Sequence, residues 1–578
     1  MKKIILLTVA VAMFIALPLS AAHAVETFAI ETETRIYNPE KSYGGYFLTS
    51  RIPGGTTYLM DMMGNVVHKW DNVGAVPRLL PNGNLSCYGQ HIAAAKDPVG
   101  VPYTGLMENT QLRDWDNNPL WSFNPKVDLN LDYGMNHDGF WMWNKKLQQY
   151  TFLLFVDRNT TKEEIVAAGG DPTWDYTNRL IGQGCFIEVN WDKEIVWQWE
   201  YIDHTCQSKN PAWPRYVSDV SLAPGKCDMF HTTDAQGPEG REGVVTDWHH
   251  TNSMDYNEEL DHIVMNAKHW SEFYVIDHGK TFVSTTDWAA NKAAAAGPDG
   301  DFIYRFGKPS AYNQGMAPGF LTEGEQQMYG SHDIQWIKPY LWDRPHAEAG
   351  PLWQWPDPVG YTGSDMSMPG AGNFLIFDNG CYNPTGYRSR ILEINPYLNA
   401  EGVNTGAYVN PPEAGYTRRK SMLTGIQYKS NQVVWSYQSF WPNSFYSWYI
   451  SGQNRLPNGN TSITSGAQGH LFEVTPTGEV VWDYIYPGFA GPTVKTVVKD
   501  TFQSGTSMYR HYRYPVDYPA FIGKDLSPID TLTGRLPRLV GEDLTYPEPV
   551  PITGWGIPPG ASSEGGGDVG EGGGGGGY

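Results

Sequence analysis

The chain has 578 residues with 22 Trp, 35 Tyr, 63 Gly and 41 Pro, a composition of short aromatic strands and many turns, long enough to bury a large core. A formal charge of −21 argues against nucleic acid or an anionic membrane as partner, so an anionic small substrate would need a local positive site. Five cysteines, Cys87, Cys185, Cys206, Cys227 and Cys381, are too few and odd in number for a disulfide-built scaffold. Cys206 and Cys227 flank a loop rich in Pro, Lys and Ser, and either one bridge there or five buried thiols fit the spacing.

At the N-terminus, Lys2 and Lys3 precede an apolar run from Ile4 to Leu19, followed by Ala22-His23-Ala24. This pattern predicts a secretory signal peptide over residues 1–24, cleaved after Ala24, and hence a periplasmic or secreted protein. The alternative, a membrane anchor, fits less well because the run is short for a span. Trp, Tyr, Asn, Gly and Pro interrupt every later hydrophobic run, so no membrane span is expected.

Moving along the chain, one phrase recurs: a polar turn, a short apolar run, then an aromatic residue. It appears as Gly64-Asn65-Val66-Val67-His68-Lys69-Trp70, Asn118-Pro119-Leu120-Trp121 and Lys193-Glu194-Ile195-Val196-Trp197. It returns as Asp301-Phe302-Ile303-Tyr304, Asn431-Gln432-Val433-Val434-Trp435 and Gly478-Glu479-Val480-Val481-Trp482. A partner strand such as Phe186-Ile187-Glu188-Val189-Asn190 precedes most of them, so the unit is a hairpin. Isolated hairpins are marginal in water, and radial packing of small sheets buries their faces while shielding their edges. Six hairpins predict an all-β, six-bladed β-propeller with loop insertions and a short N-terminal extension, spanning residues 25–528; a pair of β-sandwiches is the alternative.

A second recurrence bears on function. Asn136-His137-Asp138, His249-His250-Thr251-Asn252-Ser253 and Ser331-His332-Asp333 each lead into an aromatic or apolar strand, as Arg78-Leu79-Leu80 leads into its own turn. The strand that opens a propeller blade lies nearest the axis, so His137, His250 and His332 are expected to converge at one mouth of the central channel. Convergent polar groups in a concave place are the default mark of binding or catalysis. Each histidine alone also fits a structural role.

Asp247-Trp248-His249-His250-Thr251-Asn252-Ser253-Met254-Asp255-Tyr256, continuing through Ser271-Glu272-Phe273-Tyr274-Val275-Ile276-Asp277-His278, resembles the bacterial arylsulfotransferase (aryl-sulfate sulfotransferase) family. Gly330-Ser331-His332-Asp333, Phe377-Asp378-Asn379-Gly380 and the segment Tyr509 to Pro519 extend the likeness, whereas Leu456-Pro457-Asn458-Gly459-Asn460 is generic. The resemblance implies a six-bladed propeller that moves a sulfuryl group from a phenolic sulfate ester to a phenol acceptor, with no nucleotide donor and no cofactor. It also leaves a homodimer open. It carries His250, His332 and Arg390 over as catalytic groups, with Arg388 as second choice; His137 and Asn252 from the histidine phrases, and Arg510 and Arg513 on a segment that would start or close a blade near the axis, are the further substrate-binding candidates, and no metal ligand is expected. Imidazole N–H groups and a forked guanidinium suit the charge that such a transfer develops.

One position departs from the family pattern. Where its nucleophilic His would precede a Tyr-Ser pair, this chain reads Asn443-Ser444-Phe445-Tyr446-Ser447, and Asn is no comparable nucleophile. His511, an axial histidine, direct transfer and loss of transferase activity all stay open. Two other classes therefore stand beside the transferase: a non-catalytic propeller that binds an anionic or aromatic ligand, and a His-ligated metal hydrolase. Residues 529–578 are Pro-rich and then Gly-rich, a composition that cannot bury a core and predicts a disordered tail.

Overall fold

A computed structural model describes residues 28–29, 33–52, 54–89, 107, 109–174, 176, 182–231, 248–319, 322–342, 345–355, 368–381, 383–421, 425–439, 445–487, 496–497 and 507–532. The expected signal peptide, Asn443 and the C-terminal tail beyond residue 532 lie outside these residues.

The described chain is a six-bladed propeller built on six sheets, each with four antiparallel strands from axis to rim. Blade 2 runs Arg78–Leu79, Leu85–Tyr88, Thr110–Arg113 and Pro119–Phe123. Blade 3 runs Tyr133–Asn144, Gln149–Asn159, Gly182–Val189 and Ile195–Glu200. Blade 4 takes Thr251–Asn257, His262–Ala267, Glu272–Asp277 and Tyr304–Phe306, and blade 5 takes His332–Trp336, Phe374–Asp378, Arg390–Ile394 and Val433–Tyr437. Blade 6 takes Gly452–Arg455, Thr461–Ser465, His470–Val474 and Val480–Ile485.

Blade 1 closes the ring. Its innermost strand is Met508–Tyr514, from the far end of the described chain, paired with Tyr46–Arg51; Gly55–Asp61 and Asn65–Val73 follow outward. Two short additions lie at the rim: Asp530–Thr531 beside Asn65–Val66, just past Pro528, and Glu33–Tyr37 on the outside of blade 6. The two ends of the chain thus fasten blades 1 and 6, a closure that leaves no long inner edge unpaired.

The hydrophobic interior falls into six clusters, one between each pair of neighbouring blades. Alternation of side chains along a strand explains this. In the inner strand of blade 3, Phe140 and Met142 pack toward blade 4 while Trp141 and Trp143 pack toward blade 2. Strands buried on both faces read as nearly unbroken apolar runs, which is why the aromatic phrases stood out in the sequence. All six phrases end in or at the fourth, outermost strand of a blade.

The end of the propeller opposite the histidines is covered. After the inner strand of blade 5, residues 337–342 and 345–355 lie against the other blades: Lys338 meets Asp255, Trp342 packs on Tyr518, His346 stacks on Trp143 at 4.0 Å, and the Leu352 carbonyl accepts from Asn82. Trp353 stacks on Tyr150 at 4.5 Å. Their partners lie in or beside the turns joining the first and second strands of blades 2 and 3, so these residues pack against that end of the propeller.

All five cysteines are unbonded. Cys206 and Cys227 lie on neighbouring parallel strands, but Thr205 pairs with Cys227 and Cys206 with Asp228, so the two thiols point to opposite faces and do not meet. Among the described residues no helix is long and apolar enough to cross a membrane.

Candidate functional site

The three sequence-predicted histidine clusters open the inner strands of blades 3, 4 and 5, and each strand breaks register there: between Met135 and Gly139, between Thr251 and Ser253, and between His332 and Gln335. His137, His250 and Asp333 occupy the left-handed region at φ 45°, 47° and 56°. Bulges of this kind re-aim side chains beside functional sites, and the backbone strain persists only where the surroundings enforce it. Here the enforcement is visible. Met254 N donates to Asp138 Oδ2 at 3.2 Å, Ile334 N to Ser253 Oγ at 3.0 Å and Gln453 N to Asp333 Oδ2 at 2.9 Å, so each inner strand is held by a side chain of the blade before it.

Below the histidines an ion cluster closes the axis. Arg510, on the inner strand of blade 1, reaches Asp138 of blade 3 at 3.0 Å and Asp333 of blade 5 at 2.7 Å, with its side chain only 2% exposed. Arg78 of blade 2 adds a second cation 3.4 Å from Asp138. Burial alone would lower the Arg510 pKa, but Asp138 and Asp333 push it well up; burial raises Asp333, with Arg510 opposing. Gly452 of blade 6 makes the room: a Cβ there would collide with the Asp333 carboxylate and crowd the Arg510 stem. Next to Arg510, Tyr509 sends its hydroxyl across to the Asn252 carbonyl at 2.6 Å.

Around Tyr509 the histidines gather. The His137 and His250 rings lie 4.8 Å apart, His137 is 6.0 Å and His332 6.4 Å from the Tyr509 ring, and His250 is 4.6 Å from His269. Burial and then the charge of Lys268 hold His250 well below the usual histidine range. The same two causes hold His332 down, with His250 and His137 adding and a bond to Asn379 opposing.

The tautomer of His332 follows from its partner. Asn379 gives its amide N–H groups to the carbonyls of Ser447 and Ile450 at 2.7 and 3.0 Å, which leaves its Oδ1 as an acceptor 2.7 Å from His332 Nδ1. Nδ1 therefore carries the proton, and Nε2 holds the free lone pair.

The structure thus brings His137, His250, His332, Asn252 and Arg510 to one place. It sets the other candidates apart, each already neutralised. Arg390 is clamped by Asp378 Oδ2 at 2.6 and 2.9 Å and faces Glu323; Arg388 donates to Thr385 and faces Glu323 at 3.8 Å. Arg513 is held by Glu473 at 2.8 Å and the Tyr43 carbonyl. His511 has both ring nitrogens bonded, to Ser462 at 2.6 Å and Thr464 at 2.7 Å, between blades 1 and 6. Sequence reasoning missed Lys268, Asn379 as an orienter and Tyr509 as an axial bridge. Lys268 and His269 follow a second strand rather than open a first one, but their backbone N–H groups bond the His250 and His249 carbonyls at 3.2 Å and so fold back onto the site.

Among the described residues no three His, Cys, Asp or Glu side chains are arranged to hold a metal ion. Two cavities lie away from the axis on the blade 3 rim, of about 370 Å³ beside Arg158, Glu164 and Glu200 and about 210 Å³ beside Trp197 and Trp288. In the first, Arg158 is already paired with both glutamates.

The fold and site define a six-bladed propeller with a buried cluster of histidines at its axis. No protein-family model matches the sequence, and no protein with a curated description matches it. Solved structures similar to it include a protein of unknown function from Bacteroides caccae, with 8% identity, TM-score 0.36, and 81% of this chain and 98% of that one covered. Apo AztD from Citrobacter koseri has 8% identity and TM-score 0.29 over 81% and 98% of the two chains. A putative 6-phosphogluconolactonase from Bacteroides fragilis has 7% identity and TM-score 0.29 over 82% and 99%.

Proposed function

We propose that this protein transfers a sulfuryl group from a phenolic sulfate ester to a phenol at the axial histidine cluster, outside the cytoplasm after removal of residues 1–24. The observation that carries the reading is His332. Its Nδ1–H is fixed by Asn379, so a neutral imidazole offers its Nε2 lone pair beside His250 and Tyr509. An oriented, unprotonated imidazole is what an acceptor of a sulfuryl group requires. In this reading the His332 Nε2–S bond forms as the ester S–O bond breaks, and the phenolate leaves with the electron pair. An incoming phenol then loses its proton to solvent and takes the group from His332, restoring the imidazole. His250, as a neutral N–H donor, stabilises charge on the sulfuryl and leaving oxygens. His332 would thus take the part that Asn443 cannot.

The test is release of phenolate from a chromogenic aryl sulfate by the mature chain, with and without a phenol acceptor. Without acceptor, a burst of one phenolate per chain and a sulfuryl adduct on the His332 peptide are expected; both vanish in His332→Ala, and Asn379→Ala slows the burst. Steady release requires acceptor. Because Asn443 stands at the family's nucleophile position, a non-catalytic binder is the second reading. Binding of the ester with neither burst nor turnover would establish it.

A further inference from the structure

We infer that Lys268 makes the axial site selective for a ligand bearing a singly charged oxyanion head group, discriminating it from the uncharged parent aromatic compound. The inference rests on the axial cluster being a ligand site, and it names the charge and the residue that reads it.

Lys268 lies in the single 3-10 turn Lys268–Trp270, which leaves the second strand of blade 4 and is closed by Ser271 in the left-handed region at φ 53°. Its peptide N–H bonds the His250 carbonyl, which pins the residue beside the start of the blade 4 inner strand. The side chain is buried, with the whole residue 3% exposed. Among the described residues no carboxylate forms an ion pair with its ammonium. The acids nearest the axis are committed elsewhere: Asp138 to Arg510 and Arg78, Asp333 to Arg510 and Gln453. Beside that backbone bond and that burial, the charge of Lys268 acts on both His250 and His332, which lie on different blades.

A buried ammonium with no counter-ion is costly to maintain, and protein interiors normally pair or neutralise such a group. The cationic arginines on or near these strands are all neutralised: Arg510 and Arg78 by Asp138 and Asp333, Arg390 by Asp378 and Arg513 by Glu473. Among the described residues, Lys268 is the buried cation beside the His250 strand that forms no ion pair with a carboxylate. Two neutral imidazoles beside it add hydrogen bonds without adding charge. One positive charge with neutral donors suits a monoanionic tetrahedral head; a dianionic one would be left half compensated.

The experiment is calorimetric titration of the full mature chain with phenyl sulfate and, separately, with phenol, in wild type, Lys268→Met and Lys268→Arg. Phenyl sulfate affinity is expected to fall about tenfold or more in Lys268→Met, to persist in Lys268→Arg and to weaken with added salt, while phenol affinity stays unchanged. Equal weakening of both ligands, unchanged phenyl sulfate affinity in Lys268→Met, or no phenyl sulfate binding by wild type would each overturn the inference. Should Lys268→Met not fold, wild type and Lys268→Arg are melted in sodium sulfate and in sodium chloride at equal ionic strength, and again with phenyl sulfate and with phenol. Specific stabilisation by phenyl sulfate over phenol supports the inference, and none overturns it. The two proposals fail separately: charge-selective binding without a burst removes the transferase and keeps Lys268, and turnover that ignores Lys268 does the reverse.

Discussion

At the residue scale, the site is built from groups whose charge states are set by what surrounds them. His250 and His332 are buried and face Lys268, so protonating either adds a charge where one already stands. The acid limb of the proposed aryl sulfate turnover should therefore lie well below 6.5, the ordinary histidine value, and should move up toward it in Lys268→Met; a rate against pH profile measures both. Arg510 is the opposite case, a cation fully answered by Asp138 and Asp333. Arg510→Met should lower unfolding free energy in urea by about 3–5 kcal/mol, because two buried carboxylates lose their shared cation. Replacement by Lys should recover only part of this, since one ammonium cannot span two acids as a fork does. Arg388, Arg390 and Arg513 show why arginines were hard to assign from sequence. The resemblance and their place in the chain pointed to anion ligands, but their carboxylate partners come from cross-strand pairing, as Asp378 opposite Arg390, or from distant segments, as Glu323 and Glu473.

At the element scale, the propeller was legible because its outer hairpins repeat a local pattern that survives any insertion. All six aromatic phrases fall at fourth strands, and the histidine phrases fall at first strands, as polar residues entering an otherwise apolar strand should. What could not be read was the contribution of connections. Lys268 sits in a turn, Asn379 follows a second strand, and neither belongs to a repeat, so only their hydrogen bonds to His250 and His332 reveal them. One further link between blades carries its own prediction. His278 of blade 4 is buried between Asp261 at 2.7 Å and Glu188 of blade 3 at 3.0 Å. Burial opposes its charge, but the two carboxylates win and raise its pKa to about 9. Its stabilising contribution is thus complete below pH 6.5, the ordinary value, and is lost as pH rises through about 9; the pKa difference corresponds to about 3 kcal/mol. The melting temperature should fall across that window in wild type, and the fall should be much shallower in His278→Gln.

At the scale of the whole molecule, stability depends on where the chain ends are fastened. Met508–Tyr514 is the innermost strand of blade 1 and supplies Tyr509 and Arg510 to the axis, whereas Glu33–Tyr37 is a fifth strand at the rim of blade 6, tied by Arg35 to Asp483 at 2.7 Å. Ending the chain before residue 507 should abolish the cooperative melting transition. Starting it at residue 38 should leave a folded propeller with a lower melting temperature. Calorimetry of the two truncations distinguishes the rim strand from the axial one.

The covering residues 337–342 and 345–355 and the Arg510 cluster have a consequence for traffic. If together they block that end, a ring that many propellers leave open at both ends is here a cul-de-sac. In such a cul-de-sac, whatever reached the histidines would have to back out the way it came, so two ligands would queue for one berth and exchange by turns. For a two-substrate reaction, such single-file access imposes alternation: the first product departs before the second substrate arrives, and the group being moved has to wait on the protein in between.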